Sequence, residues 1–362
     1  MSILYDEGQQ AIASESRRIL EAHVTTEALL PLLETQDAIF EPFWSIAKEQ
    51  GWTAVALPEA YGGLGLGLIE LGLVALQAGR SLSGAPFLTP SFGAARAILD
   101  HGDEALKQHW LPKLATGDAI GAIAFAEGQQ VIGRSLAFKD GKLGGTKPAV
   151  TGGTRADVAV VTASDGKEPI LAVAELTGVE RQAIDSFDNS RCAADLIFAD
   201  TPAIVLARGP AAEEAALHIL ALQAVITAHE QTGGAEKLLE TARDYALTRR
   251  AFGQPIGAFQ SVKHRIAEIY ALVELARAGA VHAASREGQE DFIAAAAAAR
   301  IQATDSYDTA ARDCVQVHGG IGVTWEAGLH LHMRRARSLA IEQGNLFFWE
   351  DVLVDRLREK AA

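Results

Sequence analysis

The chain has 362 residues, 49% of them hydrophobic, which is enough for two or three domains that each bury a core without staples. Its formal charge of −14, from 32 basic against 46 acidic residues, argues against nucleic acid or an anionic membrane as a general partner. Two distant cysteines, Cys192 and Cys314, with no Cys-x-x-Cys, suggest neither a disulfide framework nor a thiolate metal site and suit a reducing compartment.

The opening residues Met1–Glu7 carry neither a basic region nor an apolar core of a signal peptide, and no stretch approaches an uninterrupted apolar span of about 20 residues. The expectation is therefore a cytoplasmic protein of bacterial type. From Glu7 to about Asp118, apolar residues recur at helical spacing (Ile12, Ile19, Leu20; Ile69, Leu73, Leu76) between Gly- and Pro-containing turns, which predicts an all-helical first domain, 1–118. From Ala119 the pattern changes. Short β-prone runs at 120–125, 149–151, 158–162 and 170–173, separated by Asp-Gly and Gly-Gly turns, predict a β domain over 119–205. Beyond it, amphipathic segments up to Arg250 and over 262–284, 292–317 and 345–357 predict long helices forming a bundle over 206–362. The alanine run Ala294–Ala299 reads as close-packed helix surface.

Two tracts in the last third carry the chemistry. Arg249-Arg250-Ala251-Phe252-Gly253-Gln254-Pro255-Ile256-Gly257-Ala258-Phe259-Gln260 offers cations and an aromatic platform, and Gln316-Val317-His318-Gly319-Gly320-Ile321-Gly322 offers a bare Gly-Gly turn. A dinucleotide pyrophosphate and its adenine require those parts. In this order the two tracts resemble the acyl-CoA dehydrogenase family, whose pattern Arg-x-x-Phe-Gly, then Gln, then Gln-x-x-Gly-Gly-x-Gly is matched by Arg249, Phe252, Gly253, Gln260, Gln316, Gly319, Gly320 and Gly322. Gly51-Trp52 with Leu57-Pro58-Glu59-Ala60-Tyr61-Gly62-Gly63-Leu64-Gly65 is similar to the family's N-terminal signature, and Trp110–Gly117 to its helix-ending segment.

The resemblance implies an α+β fold with a helical N-terminal domain, a middle β-barrel domain and a C-terminal four-helix bundle. It implies FAD as cofactor, α,β-desaturation of an acyl-CoA thioester, and electron-transfer flavoprotein as acceptor. It also implies a homo- or hetero-oligomer, a dimer of dimers, in which Arg249, Phe252, Phe259, Gln260, Gln316, Gly319 and Gly320 grip the phosphate and adenine end of a neighbour's FAD. The flavin then takes hydride while a carboxylate removes the α-proton.

The sequence departs from the family at that carboxylate. An ungapped count from Gln316 puts an amide, Gln343, where the usual catalytic glutamate stands, and the alternative helical position, counted back from Phe252, falls on Gln223. Glu342, adjoining the first position, is the candidate base if the loop shifts by one residue. The β domain departs as well. The family's Thr-Glu-Pro-Gly-x-Gly-Ser-Asp is here Ala126–Ser135, and the tryptophan of its Lys-x-Trp-Ile-Thr-Asn is Ala149. The chain keeps what serves a neighbour's FAD and has weakened what serves its own, the asymmetry expected of one subunit in hetero-oligomeric members of the steroid side-chain type. Thr324-Trp325-Glu326 and His330–Ala336 are reminiscent of that subgroup. The rival expectation is a catalytically silent subunit that completes FAD and substrate sites on a homologous chain.

Other features receive plainer readings. Gly128–Ser135 has Walker-like spacing but lacks the lysine and the following helix, so it is no P-loop. His330 and His332 have no acidic cluster at ligand spacing, and no metal is expected. His318 reads as a structural residue. Arg334, Arg335 and Arg337 read as a solvated helix face, with coenzyme A phosphates or an acidic partner as the alternative. Phe252, on an apolar helix end, is either core or cofactor contact.

Overall fold

The computed structural model describes residues 5–33, 35, 39–83 and 88–361. Its first helix, α1 (Glu7–His23), starts on a reciprocal capping box, in which the Asp6 side chain accepts from Gln9 N and the Gln9 side chain accepts from Asp6 N. The helices α2 (Thr26–Leu29), α3 (Glu41–Glu49), α4 (Leu68–Ser81), α5 (Leu88–His101) and α6 (Glu104–Thr116) follow. Helix α6 is capped by the Asp103 side chain and stopped by Gly117, whose φ of 71° suits a residue without Cβ. The end of that helix is anchored by Trp44 Nε1, which donates to Gly117 O at 3.1 Å, and by Thr53 Oγ1, which donates to Ala115 O at 2.7 Å. The segment Trp110–Gly117 therefore ends a helix, as its sequence suggested.

The strands β1 (Gly121–Ala124), β2 (Ala137–Lys139), β3 (Lys142–Val150), β4 (Val158–Ser164), β5 (Pro169–Glu175), β6 (Glu180–Ala183), β7 (Ala194–Pro202) and β8 (Ile204–Arg208) come next. They form one mixed sheet in the order β6-β7-β3-β2-β4-β5-β8, with β1 parallel to β4. The central hairpin pairs β4 with β5 over its whole length, Val158 opposite Glu175 through Ser164 opposite Pro169. Both strands read as continuous apolar runs because they are buried on both faces. The two-residue turn Asp140-Gly141, with φ of 50° and 76°, joins β2 to β3 in the twist that favours hairpins. Ala122, Phe138, Leu143, Ala159, Val161, Ile170, Leu196 and Phe198 belong to one core.

The remaining chain is helical: α7 (Pro210–Thr248), a short hairpin of β9 (Arg250–Ala251) and β10 (Gln254–Pro255), α8 (Gln260–Ser285), α9 (Phe292–His318), α10 (Leu329–Ile341) and α11 (Leu346–Ala361). Helix α9 is the hub, packing against α8, α10 and α11, and its buried Ala296, Ala297 and Ala299 allow the close approach. Helix α7 is long and apolar enough to cross a membrane by length and composition, contrary to the sequence expectation that no stretch would be, yet most of that stretch is buried within the protein as a core helix. It crosses α4 at glycines. A Cβ on Gly79 would fall 1.9 Å from Glu230 O, and one on Gly233 would fall 1.8 Å from Leu76 O. By contact density the chain divides into two compact units, one of residues 1–30, 72–84 and 224–362, the other of residues 31–71 and 85–223.

Candidate functional site

The two tracts that carried the cofactor expectation meet at the ends of α7 and α9. The Tyr245 ring stacks on the His318 ring with centroids 4.1 Å apart. One turn further, Arg249 N donates to Tyr245 O at 2.8 Å, and Gly319 directly follows His318, so both motifs leave one aromatic joint. Ile256, Val262, Ile266, Val315 and Val317 pack in the same core and fix the loop against the end of α9.

From this base the functional groups stand out into solvent. Phe252 is 95% exposed on a left-handed backbone with φ of 51°, steadied only by an edge contact to Phe259 at 6.2 Å. That exposure corrects the alternative that Phe252 is a core residue. Arg249, Gln260 and Gln316 are exposed and Phe259 is half-buried. Gly319 turns the chain at φ 60° and ψ −137°, and a Cβ added to Gly319 or Gly320 would meet nothing within 4 Å. The surface is open cation, aromatic ring and uncovered backbone, the donor set that a dinucleotide phosphate and a purine call for.

A second cluster surrounds the turn after α10. Arg300, fully buried on α9, donates through Nη1 to Gln231 Oε1 and Thr304 Oγ1, both at 2.6 Å. Through Nη2 it donates to Leu339 O and, at 3.0 Å, to Glu342 O. Burial pulls its pKa down to about 10, against the opposing pull of Glu342 and Glu230. The guanidinium thus clamps the C-terminal carbonyls of α10, where a cation also complements the helix dipole. Glu342 caps that helix and is half-buried. Gln343 follows on a left-handed backbone with φ of 53°, and its Oε1 accepts from Thr227 Oγ1 at 3.3 Å. Gln223, one turn before Thr227 on α7, is fully buried. Its Nε2 donates to Thr89 O at 3.4 Å, and its Oε1 has no hydrogen-bond partner among the described residues.

In the β domain, the segment with Walker-like spacing is a closed loop and not the start of a helix. Glu127 accepts from Ser135 N at 2.7 Å and from Lys147 Nζ at 2.5 Å. Burial works to raise the Glu127 pKa, but the hydrogen bonds from Lys147 and Ser135 hold it below the usual carboxylate range. Ala149, where the family places tryptophan, sits at φ 50° with its N–H donated to Asp195 Oδ1 at 2.8 Å.

The plainer readings divide. His318 Nδ1 lies 2.8 Å from Cys314 O, a structural contact, and both cysteines are buried. His330 stacks on Trp325, and His332 Nδ1 meets Tyr307 OH at 2.8 Å. Burial, then the nearby Arg335, Lys237 and Arg80, push His332 down to about 3, so it stays neutral. Among the described residues no group of three or more potential metal ligands occurs. Arg335 does not lie on a solvated face: its side chain is 5% exposed and pairs with Glu230 at 3.2 Å. It is buried because α10 turns that side inward, whereas Arg337, half-exposed, pairs with Asp308 at 2.6 Å. Tyr245 and Arg300 were not singled out from sequence, whereas Lys147 is the lysine that matches the Lys-x-Trp-Ile-Thr-Asn pattern, with no role assigned to it there. A lone arginine on the alanine-rich face of α9 was the available signal for Arg300.

A family model described as acyl-CoA dehydrogenase, N-terminal domain, matches residues 6–118, and one described as acyl-CoA dehydrogenase, C-terminal domain, matches residues 214–347. The chain is 30% identical over 328 residues to acyl-CoA dehydrogenase IpdE2 of Mycolicibacterium smegmatis, covering 89% of this chain and 90% of that one. Among solved structures it is similar to the ChsE4-ChsE5 complex from Mycobacterium tuberculosis, with a TM-score of 0.88 and 25% identity over 99% of each chain. It is also similar to a Tcur3481-Tcur3483 steroid ACAD variant, with a TM-score of 0.86 and 28% identity over 98% of this chain and 99% of that one.

Proposed function

The chain belongs to the acyl-CoA dehydrogenase family, and on that premise we propose that it works as one subunit of an oligomer whose FAD site is completed across a subunit boundary. Membership carries FAD as the cofactor and oxidation of an acyl-CoA thioester as the chemistry. The bound flavin supplies the hydride acceptor. What this chain's residues contribute is unequal at the two ends of that cofactor.

The observation that carries the reading is the patch joined by the Tyr245–His318 stack. Arg249 is exposed and Phe252 is 95% exposed near the open Gly319-Gly320 turn, and these groups fit a pyrophosphate and an adenine. A 95% exposed phenylalanine on a left-handed backbone costs free energy that its edge contact to Phe259 returns only in part, which supports a use outside its own chain. We assign Arg249, Phe252, Phe259, Gln260, Gln316, Gly319 and Gly320 to the phosphate and adenine end of a neighbouring subunit's FAD. The helical domain to residue 118, the β domain to 205 and the helical remainder are the units we assign to that assembly.

At the reacting end, Glu342 is the only carboxylate of the turn 341–345 and the candidate base. A second reading is favoured by a specific observation: both positions at which the family holds its glutamate are amides, Gln343 bonded to Thr227 and Gln223 enclosed against Thr89. On that reading the chain completes the sites of a homologous partner and performs no proton abstraction itself. The similarity to a complex of two unlike chains and to a steroid ACAD supports an unlike partner and a bulky ring-bearing thioester.

The test is purification of the chain alone and with a homologous partner chain, followed by visible absorption and turnover. Stoichiometric flavin and turnover that is lost in Glu342→Gln establish an independent enzyme. Flavin that appears only on co-expression, with turnover indifferent to Glu342→Gln, establishes the completing subunit. A colourless protein in both preparations refutes the assignment.

A further inference from the structure

A cavity of about 400 Å³ is lined by the end of α1, the start of α2, the second half of α4, the middle of α7 and the first turn of α10. That size falls within the range of about 300–1,000 Å³ usual for small-molecule sites. Leu20, Val24, Leu29, Leu82, Leu329 and Leu331 give it apolar walls. One end is tightly closed, since a Cβ on Gly328, just before α10, would fall 2.7 Å from Thr26 Cγ2. On α7 the wall includes Lys237, about 15 Å along the helix from Thr227. The close crossing of α4 and α7 at Gly79 and Gly233 stands between the two.

The two arginines of the wall are already matched. Arg80, its side chain 4% exposed, pairs with Glu240 at 2.6 Å and Glu236 at 3.3 Å, and Arg17 pairs with Glu21 at 2.8 Å. Lys237 differs. It is exposed, and its side chain has no ion-pair or hydrogen-bond partner among the described residues, so one positive charge is left to the cavity. Two enclosed polar groups in the wall are also unused. Gln77 is 7% exposed, and its side-chain amide makes no hydrogen bond among the described residues. His332, equally buried, meets Tyr307 OH through Nδ1 at 2.8 Å, and its Nε2 has no partner among the described residues. A buried amide without a partner costs its full desolvation, and a leucine would complete this wall without that cost. An amide at such a place is explained by a ligand that supplies the missing hydrogen bond.

We propose that this cavity binds a small monocarboxylic acid with an apolar body, its carboxylate against Lys237 and a hydroxyl or carbonyl of that body against Gln77 and His332. One free cation matches one carboxylate, and the leucines match a hydrocarbon. Inorganic phosphate brings a second charge and nothing for the leucines, while a neutral alcohol leaves the ammonium unmatched. The proposal stands apart from the FAD assignment, because none of the residues placed at that cofactor lines this cavity.

The test uses the full chain, dialysed free of small acids, with binding read by isothermal titration and by melting temperature. The probes are cyclohexanecarboxylate, its trans-4-hydroxy derivative, the neutral cyclohexylmethanol and inorganic phosphate. Both carboxylates are expected to bind saturably and to raise the melting temperature, the hydroxy acid more tightly. Lys237→Met is expected to weaken both roughly tenfold, whereas Lys139→Met, at an exposed lysine of β2, changes neither. Gln77→Leu is expected to raise the melting temperature of the empty protein and to remove the preference for the hydroxy acid. The proposal is overturned if neither carboxylate binds, if Lys237→Met keeps wild-type affinity, or if cyclohexylmethanol or phosphate binds as tightly as the acids. A folded Gln77→Leu that still prefers the hydroxy acid overturns the seat given to the hydroxyl, and where that variant does not fold, Lys237→Met decides.

Discussion

Replacing Gln343 by glutamate puts a carboxylate at the position that the count from Gln316 assigns to the family's base, and its surroundings set what that should cost and gain. The new side chain matches the amide in shape and retains an oxygen to accept from Thr227 Oγ1, now 3.3 Å from Gln343 Oε1. The position is half-buried, and the guanidinium of Arg300 lies behind the turn, bonded to Glu342 O at 3.0 Å, so a negative charge there has a nearby cation. The stability change should stay within about 1 kcal/mol. A correctly placed general base contributes about a hundredfold or more, so Gln343→Glu should raise α-proton exchange of a bound acyl-CoA by at least about that factor, followed as deuterium uptake from solvent, which needs no electron acceptor. Gln223→Glu makes the contrast. That site is 0% exposed, and an ionised carboxylate there would face Thr89 O, to which the amide now donates at 3.4 Å. Burial and that facing oxygen both raise a carboxyl pKa, so the basic form appears only as pH climbs through the raised value. Exchange by Gln223→Glu should therefore rise with pH across neutrality while that of Gln343→Glu is flat. The reasoning fails if Gln343→Glu binds FAD and acyl-CoA yet exchanges no faster, while Glu342→Gln abolishes wild-type turnover. Glu342 would then be the base.

Other consequences separate structure from use. Phe252→Ala removes a ring that is 95% exposed, so thermal stability should move by no more than about 0.5 kcal/mol, while FAD retention in the assembled protein falls about tenfold; unchanged retention would remove Phe252 from the site. Gly233→Ala places a Cβ 1.8 Å from Leu76 O at the crossing of α4 and α7, which neither backbone relieves without moving, and a loss of about 3 kcal/mol in chemical denaturation is expected. Lys147 titrates near pH 8 in the folded chain, lowered from 10.5 by burial against the pull of Glu127. Folding thus disfavours its protonated form, and the unfolded chain binds more protons between those two values. Wild-type stability should accordingly rise relative to Lys147→Met as pH goes from about 8 toward 10, and the difference should be level below that range; melting curves across pH would expose the opposite slope.

The order of helical, β and helical regions was legible because each carries its own period. Helix α6 announced its end in Gly117 and the Asp140-Gly141 turn was legible, but β2 and most of β3 on either side of it lay outside the predicted runs, and Gly144-Gly145, a turn by composition, lies within β3. Hydrophobic pattern could not distinguish α7 from its neighbours in importance, or show that Gly79 and Gly233 meet opposite backbones, because a glycine in a helix carries no sign of what will pass beside it. Nor could charge pattern foretell Arg335. Three arginines in four residues look alike in sequence, and only the rotation of α10 decides that one of them is paired with Glu230 at 3.2 Å while Arg337 remains half-exposed.

The site was unevenly legible for a physical reason. The phosphate end we propose would be made by backbone and by exposed side chains of fixed kind, so Arg249, Phe252 and Gly319 could be read as a motif, and the stack of Tyr245 on His318 shows only that the two tracts meet. The reacting end depends on where a single carboxylate points, and that is set by groups distant in sequence. Arg300 holds the carbonyl of Glu342, Thr227 holds the side chain of Gln343, and neither contact leaves any trace in spacing. The burial of Lys147 against Glu127 is of the same kind: the motif match named the lysine, but not that its side chain is 0% exposed and paired with that carboxylate. An enzyme that has lost its base while keeping a buried arginine to shape the turn around the vacancy would be wasteful. A subunit that must still present an ordered turn to a partner's thioester would need that clamp, and on this argument Arg300→Met should impair the assembled pair even where Gln343 itself does no chemistry.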